Sequence, residues 1–152
     1  MADAAAAIRE AWIILQEEVA QRLLARPGTK AYGRLTVLAQ YRWEVEPVMA
    51  VPRRAFFSQP RVDSSCIVLR PRRVPLAAVR DEALFFAVVK AAFSQRRKTL
   101  INCLTGLQPS IDRPAAAALV RQIGVGPTSR GETLSLKQFA ALANAVDDLE
   151  SP

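Results

Sequence analysis

The stretch AWIILQ, Ala11 to Gln16, is a short uninterrupted apolar run, and the residues directly after it narrow the choice of folds. In EEVAQRLLARPG the residues Val19, Leu23 and Leu24 fall at helical spacing, and Pro27-Gly28 ends the pattern. The order is strand, helix, break. A strand apolar on both faces belongs in a sheet covered by helices, so the segment predicts part of an α/β layer, although no βαβ partner precedes it. After the turn-like PGTKAYG, residues 34–42 read as a helix, and WEVEPVMAV alternates apolar positions at Trp43, Val45, Met49 and Val51 in the strand period. Pro47 lacks an N–H and places this strand at an edge or a bulge. VDSSCIVLR, Val62 to Arg70, predicts a second strand of the pair, joined to the first by the long connection PRRAFFSQPR.

PRRVPL, Pro71 to Leu76, reads as a linker, and everything beyond it reads helical. Leu84, Val88 and Ala92 with Phe85 and Val89 form an apolar stripe; Lys98 to Leu104 continues or restarts it. Pro114 to Gln122 is a third helix with proline near its first turn, and Ser135 can cap a last one carrying Leu136, Phe139 and Leu142. Alanine-rich segments at 4–7 and 115–118 read as helix filler. Two units are expected: residues 1–74, α/β, and residues 75–152, a small helical domain.

Charge is distributed unevenly. Residues 1–52 carry six cations and six anions, residues 53–98 eleven and three, and residues 99–152 four and five. The whole excess lies in the middle. Such a concentration is the footprint of a surface facing nucleic acid, since each Lys or Arg laid on phosphate releases counterions; a merely soluble basic surface is the alternative. Histidine is absent, which excludes Ser-His and Cys-His nucleophile pairs and any zinc site needing imidazole. Cys66 and Cys103 sit among aliphatic neighbours and are expected as small buried hydrophobes, with no metal site. No membrane span or signal peptide is visible, and the chain reads as cytoplasmic.

Two stretches invite chemistry. In FSQRRKTLINCL, Arg96, Arg97 and Lys98 stand side by side, and three adjacent cations on a helix cannot share one narrow stripe. In AFFSQPRVDS, Phe56 and Phe57 lie on a connection stiffened by Pro60, where an aromatic could stack on an unpaired base. They could equally form a satellite core beneath the loop.

YGRLTVLAQY (32–41), PRRAFFSQPRVDS (52–64) and AAFSQRRKTL (91–100) together resemble the rRNA adenine N6,N6-dimethyltransferase family of the KsgA type, over about residues 8–142. Related methyltransferases of the large-subunit rRNA that confer antibiotic resistance are a weaker match, because they are not expected to carry QRRKTL. Phe56 corresponds to the first aromatic of the family's F-x-P-x-P-x-V loop, with Ser58 in place of its first proline. Ile101 stands where the family commonly has a polar residue.

The resemblance implies an adenine pocket including Phe56 and Phe57. It also implies contacts to small-subunit rRNA, or the immature small ribosomal subunit, from Arg53, Arg54, Arg61, Lys90, Arg96, Arg97 and Lys98. S-adenosylmethionine is the cofactor of the full-length family enzyme, which needs a glycine-rich turn after its first strand, an acidic residue for the ribose and an N-L-P-Y-like tetrapeptide. None of these occurs here: the only G-x-G is Gly124 to Gly126, and neither Asn102 nor Asn144 precedes a proline. The chain therefore resembles a C-terminal half, with late strands of a Rossmann-like sheet followed by a helical domain and no catalytic residue of its own. It is expected to bind no S-adenosylmethionine alone and to have the missing N-terminal half as a partner. A stand-alone rRNA-binding module without catalysis is the alternative.

Overall fold

A computed structural model describes residues 8–107 and 111–150. The alanine run at 4–7 lies outside them. The opening strand and helix are β1 (Ala11–Gln16) and α1 (Glu17–Leu24), and Glu17 and Glu18 in the first turn with Arg22 in the last oppose the ends of the helix dipole correctly. Gly28, at φ +83°, supplies a left-handed turn that a side chain would resist. The chain then enters α2 (Arg34–Arg42), which runs straight into β2 (Trp43–Val51), and β3 (Ser64–Pro71) comes after a long loop.

β3 is central and antiparallel to both neighbours, in the order β1-β3-β2, with Ile13 opposite Ile67 and Val45 opposite Leu69. Both expectations for Pro47 hold, since β2 is an edge strand and its register slips between Pro47 and Met49. Ile13, Leu15, Val45, Ile67 and Leu69 turn towards Ala20 and Leu23 of α1, with Ala39 of α2 packed on the same cluster. The other face corrects the sequence reading. Trp12 and Ile14 project away from the helices because strand side chains alternate, and they are 59% and 54% exposed; Met49 is 61% exposed. Both helices beside the sheet cover one face only. Cys66, expected to be buried, is half-exposed in β3 opposite Ile14 and Met49, whereas Cys103 is buried as expected; both are free thiols.

The remaining helices are α3 (Glu82–Ala92), α4 (Leu100–Leu104), α5 (Arg113–Gln122) and α6 (Leu136–Glu150). Their starts are set by local chemistry. Asp81 Oδ1 accepts from the N–H groups of Ala83 at 2.7 Å and Leu84 at 3.2 Å, and Asp112 Oδ1 accepts from Ala115 at 2.7 Å. Ser135 and Gln138 form a reciprocal cap at α6, with the Gln138 N–H donating to Ser135 Oγ and the Ser135 N–H to Gln138 Oε1. Phe85, Val88, Leu100, Leu104, Phe139 and Leu142 are sealed between these helices.

That core also takes in Val37 and Tyr41 of α2. Tyr41 packs on Phe85 with ring centroids 4.7 Å apart and meets Phe86 edge-on at 5.8 Å. One helix thus serves the sheet with Ala39 and the helical layer with Val37 and Tyr41. Of PRRVPL, expected to be a linker from Pro71, the first residue still belongs to β3; the rest is irregular yet tied down, for the Arg72 N–H donates to Arg42 O at 2.8 Å and the Leu76 N–H to Tyr41 O at 3.3 Å. Further along, Arg80 pairs with Asp147 and Asp148 of α6, and Asn144 accepts the Arg80 N–H at 3.0 Å while donating to Ala78 O at 3.1 Å.

Arg96, Arg97 and Lys98 do not lie on a helix. Residues 93–99 form a turn between α3 and α4. A helix would have swept these three cations through about 200°, pointing some of them into the core, and leaving the helix at Phe93 lets all three stay exposed.

Candidate nucleic-acid interface

The turn that carries these cations is held by its neighbours. Arg96 Nη2 donates to Lys30 O at 2.6 Å, and Arg96 Nε stands 3.5 Å from Glu132 Oε2, so part of this guanidinium serves internal contacts. Arg97 and Lys98 are exposed, and among the described residues neither has a salt bridge. Two free cations beside one braced cation form an anion-facing ridge.

Three loops distant in sequence meet at this ridge. The Gly28 N–H donates to Glu132 O at 2.7 Å and the Leu100 N–H to Ser129 O at 2.7 Å, which stitches loops 25–33, 93–99 and 123–135 together through main chain alone. Gly131 lets the third loop press onto α3: a Cβ there would sit 2.6 Å from Ala92 O. The Tyr32 hydroxyl donates to Leu134 O at 2.8 Å, and burial pushes its phenol pKa up, so it stays a neutral donor.

Around this junction a cleft of about 680 Å³ is bordered by Arg22, Lys30, Arg34 and Arg96, and an adjoining one of about 380 Å³ by Lys30, Arg96, Arg97 and Arg130. Glu18 and Glu132 are the acidic residues in these walls, and each already pairs with an arginine, Arg22 and Arg96 respectively. Sequence reasoning missed Arg22, Lys30, Arg34 and Arg130. They come from stretches whose charges cancel along the chain, so composition hides them; only folding gathers them at one junction.

The second group lies on the loop between β2 and β3. Arg53–Ala55 form one turn of 3₁₀ helix, anchored where the Arg53 N–H donates to Asp63 Oδ1 at 2.8 Å and Asp63 O accepts the Glu17 N–H at 3.0 Å. Arg53, Arg54 and Arg61 are exposed and, among the described residues, have no salt bridge. Phe56 is half-buried, while Phe57 stands fully in solvent at 110% of its reference exposure. The satellite-core alternative therefore does not apply to Phe57. Lys90 is exposed in the last turn of α3 and borders neither cleft.

The G-x-G stretch does not have the strand–turn–helix setting that the resemblance implies for the cofactor. Gly124, at φ +73°, ends α5, and Gly124 to Gly126 lie in the loop behind that helix, where a helix and not a strand precedes them and the next α-helix begins only at Leu136. Among the described residues no three metal-ligating side chains cluster, and no helix is long and apolar enough to cross a membrane.

The profile of the family described as Ribosomal RNA adenine dimethylase matches residues 2–148. Ribosomal RNA small subunit methyltransferase A of Bacillus cytotoxicus is 48% identical over 136 residues, covering 88% of this chain and 47% of that protein. The protein of the same name from Bacillus mycoides is 47% identical over the same shares. The chain spans about half the length of the curated relatives it matches. Among solved structures, a dimethyladenosine transferase from Plasmodium falciparum superposes with a TM-score of 0.74 at 22% identity, covering 93% of this chain and 58% of that one. The 23S rRNA methyltransferase ErmE gives 0.63 at 27% identity, covering 92% and 55%.

Proposed function

The chain belongs to the ribosomal RNA adenine dimethylase family, and from that premise we propose that it is the rRNA-docking, C-terminal half of a cytoplasmic S-adenosylmethionine-dependent dimethyltransferase acting on adenines of small-subunit rRNA. In this reading residues 1–74 carry late strands of a Rossmann-like sheet, and residues 75–152 are the docking domain. The observation that carries it is the convergence of Lys30, Arg34, Arg96, Arg97 and Arg130 on two adjoining clefts, braced by main-chain hydrogen bonds. Rigidly held, exposed cations suit a polyanion whose phosphates have fixed spacing.

The donor pocket and the groups that accept the adenine amine belong to polypeptide outside this chain, so the chain alone is inactive and binds no S-adenosylmethionine. Its own share of the chemistry is positional. Arg97 and Lys98 grip phosphates, Arg53, Arg54 and Arg61 hold the backbone near the target, and Phe56 forms one wall around an adenine swung out of its stack, where the exocyclic nitrogen can be reached. The uncovered sheet face bearing Trp12, Ile14 and Met49 is where the missing half packs.

A fusion tests this. The first half of the Bacillus cytotoxicus relative joined ahead of this chain is expected to methylate adenines of small-subunit particles, and Arg97→Ala in the fusion to slow it. A correctly folded fusion that methylates only large-subunit rRNA, or an isolated chain that binds S-adenosylmethionine with micromolar affinity by calorimetry, would overturn the assignment.

A further inference from the structure

Phe56 and Phe57 are adjacent, but they do not serve the same space. Phe56 has extended backbone angles, φ −101° and ψ 141°, and successive side chains of extended backbone project to opposite sides. Their burial differs accordingly: Phe56 rests half-covered, and Phe57 meets nothing. A base held against the Phe56 ring cannot lie on the Phe57 ring as well.

Phe57 is the most exposed of the large apolar side chains among the described residues, and the loop around it indicates the chemistry of a partner. Arg53, Arg54 and Arg61 flank the ring on both sides in sequence, and none has a salt bridge among the described residues. The nearby carboxylate, Asp63, is occupied in anchoring the Arg53 N–H at 2.8 Å. Beyond Phe57 the loop continues with the polar Ser58 and Gln59, and its other exposed large apolar side chain is Val62, at 47%, so the ring dominates a small apolar area in a cationic setting. That is the footprint of a single nucleotide with its phosphates. A lipid surface would call for a broader apolar face.

We propose that Phe57 is a second stacking platform, receiving an unpaired base that neighbours the adenine assigned to Phe56, with Arg53, Arg54 and Arg61 on the flanking phosphates. This rests on the rRNA-docking reading and adds to it a residue that selects for unstacked nucleotides beside the target. The ring acts by surface contact, so any base fits and sequence preference is weak. Phe57 is fully exposed, and replacing it leaves the fold intact.

The test uses the 152-residue chain and a short single-stranded RNA containing 2-aminopurine, whose fluorescence falls when it stacks. The wild type is expected to quench the probe. Phe57→Ala is expected to lose most of the quenching and bind on the order of tenfold more weakly with an unchanged salt slope, while Phe57→Trp keeps both. Arg54→Ala should bind more weakly with a shallower slope yet quench fully at saturation. Full quenching by Phe57→Ala overturns the stacking role. If Arg97→Ala still weakens binding in that case, rRNA docking stands without it; if the wild type binds no RNA, both fall. Phe57-dependent sedimentation with phosphatidylglycerol vesicles, with RNA binding untouched, would assign the ring to lipid and overturn the proposal.

Discussion

The Tyr41 hydroxyl donates to Glu82 Oε1 at 3.1 Å, joining the last turn of α2 to the first turn of α3. Arg42 pairs with the same carboxylate, and the Tyr41 ring lies on Phe85. Ring and hydroxyl can be separated by mutation. Tyr41→Phe should cost about 1 kcal/mol, one hydrogen bond whose carboxylate stays partly solvated, and Tyr41→Ala about 3–5 kcal/mol through the cavity it opens. Urea denaturation measures both; equal losses would contradict this division.

Gly131 owes its identity to space, for its φ is not in the left-handed region. Gly131→Ala places a methyl group 2.6 Å from Ala92 O, where backbone must move. The expected loss is about 1–3 kcal/mol. Displacement of the third loop should also disturb Arg130 and Glu132, so RNA affinity should fall at temperatures where the variant is still folded, as read by filter binding.

Arg96 and Arg97 should separate in the same assay. Arg97→Ala removes a free cation and is expected to reduce the salt slope of RNA binding by about 1, with stability unchanged. Arg96→Ala also cuts the link to Lys30 O and Glu132. It should lower the melting temperature as well as the affinity.

Glu17 sets an acid limit. Its carboxylate accepts from the Ser65 hydroxyl and, at 2.9 Å, from Gln21 Nε2, and these bonds, the first above all, hold its pKa below the ordinary 4.5. Folded-state depression means that its stabilisation is present above pH 4.5 and is lost as pH falls through the lower folded value. Denaturation midpoints of the wild type should therefore decline below pH 4.5 more steeply than those of Glu17→Gln. Parallel curves would remove Glu17 from the account.

Trp12 and Met49 expose an apolar sheet face, which should make the isolated chain self-associate. Trp12→Ser combined with Met49→Ser should shift sedimentation towards monomer without loss of strand signal. Unchanged association would place the contact elsewhere.

Periodicity carried the elements: WEVEPVMAV became β2 at its predicted bounds, RLTVLAQYR became α2, and Pro47 announced an edge or a bulge where the strand has both. The failures have a common cause. Helical spacing around Lys98 to Leu104 could not show that the chain leaves the helix to keep three charges in water. The apolar run at β1 could not show that both neighbouring helices lie on one side. The basic clefts were half visible, because Arg96 and Arg97 stand in a charged run while Lys30, Arg34 and Arg130 acquire their meaning only when main-chain bonds draw three loops together.

The two borders of the sheet are unequally guarded. At β2 a proline withholds a donor and the bulge spoils the register. AWIILQ at β1 contains neither proline nor charge, and among the described residues it pairs on one side only. The sheet can thus be extended in one direction: an incoming strand is turned away at Pro47 and finds a regular ladder of free amides and carbonyls beside Ile13.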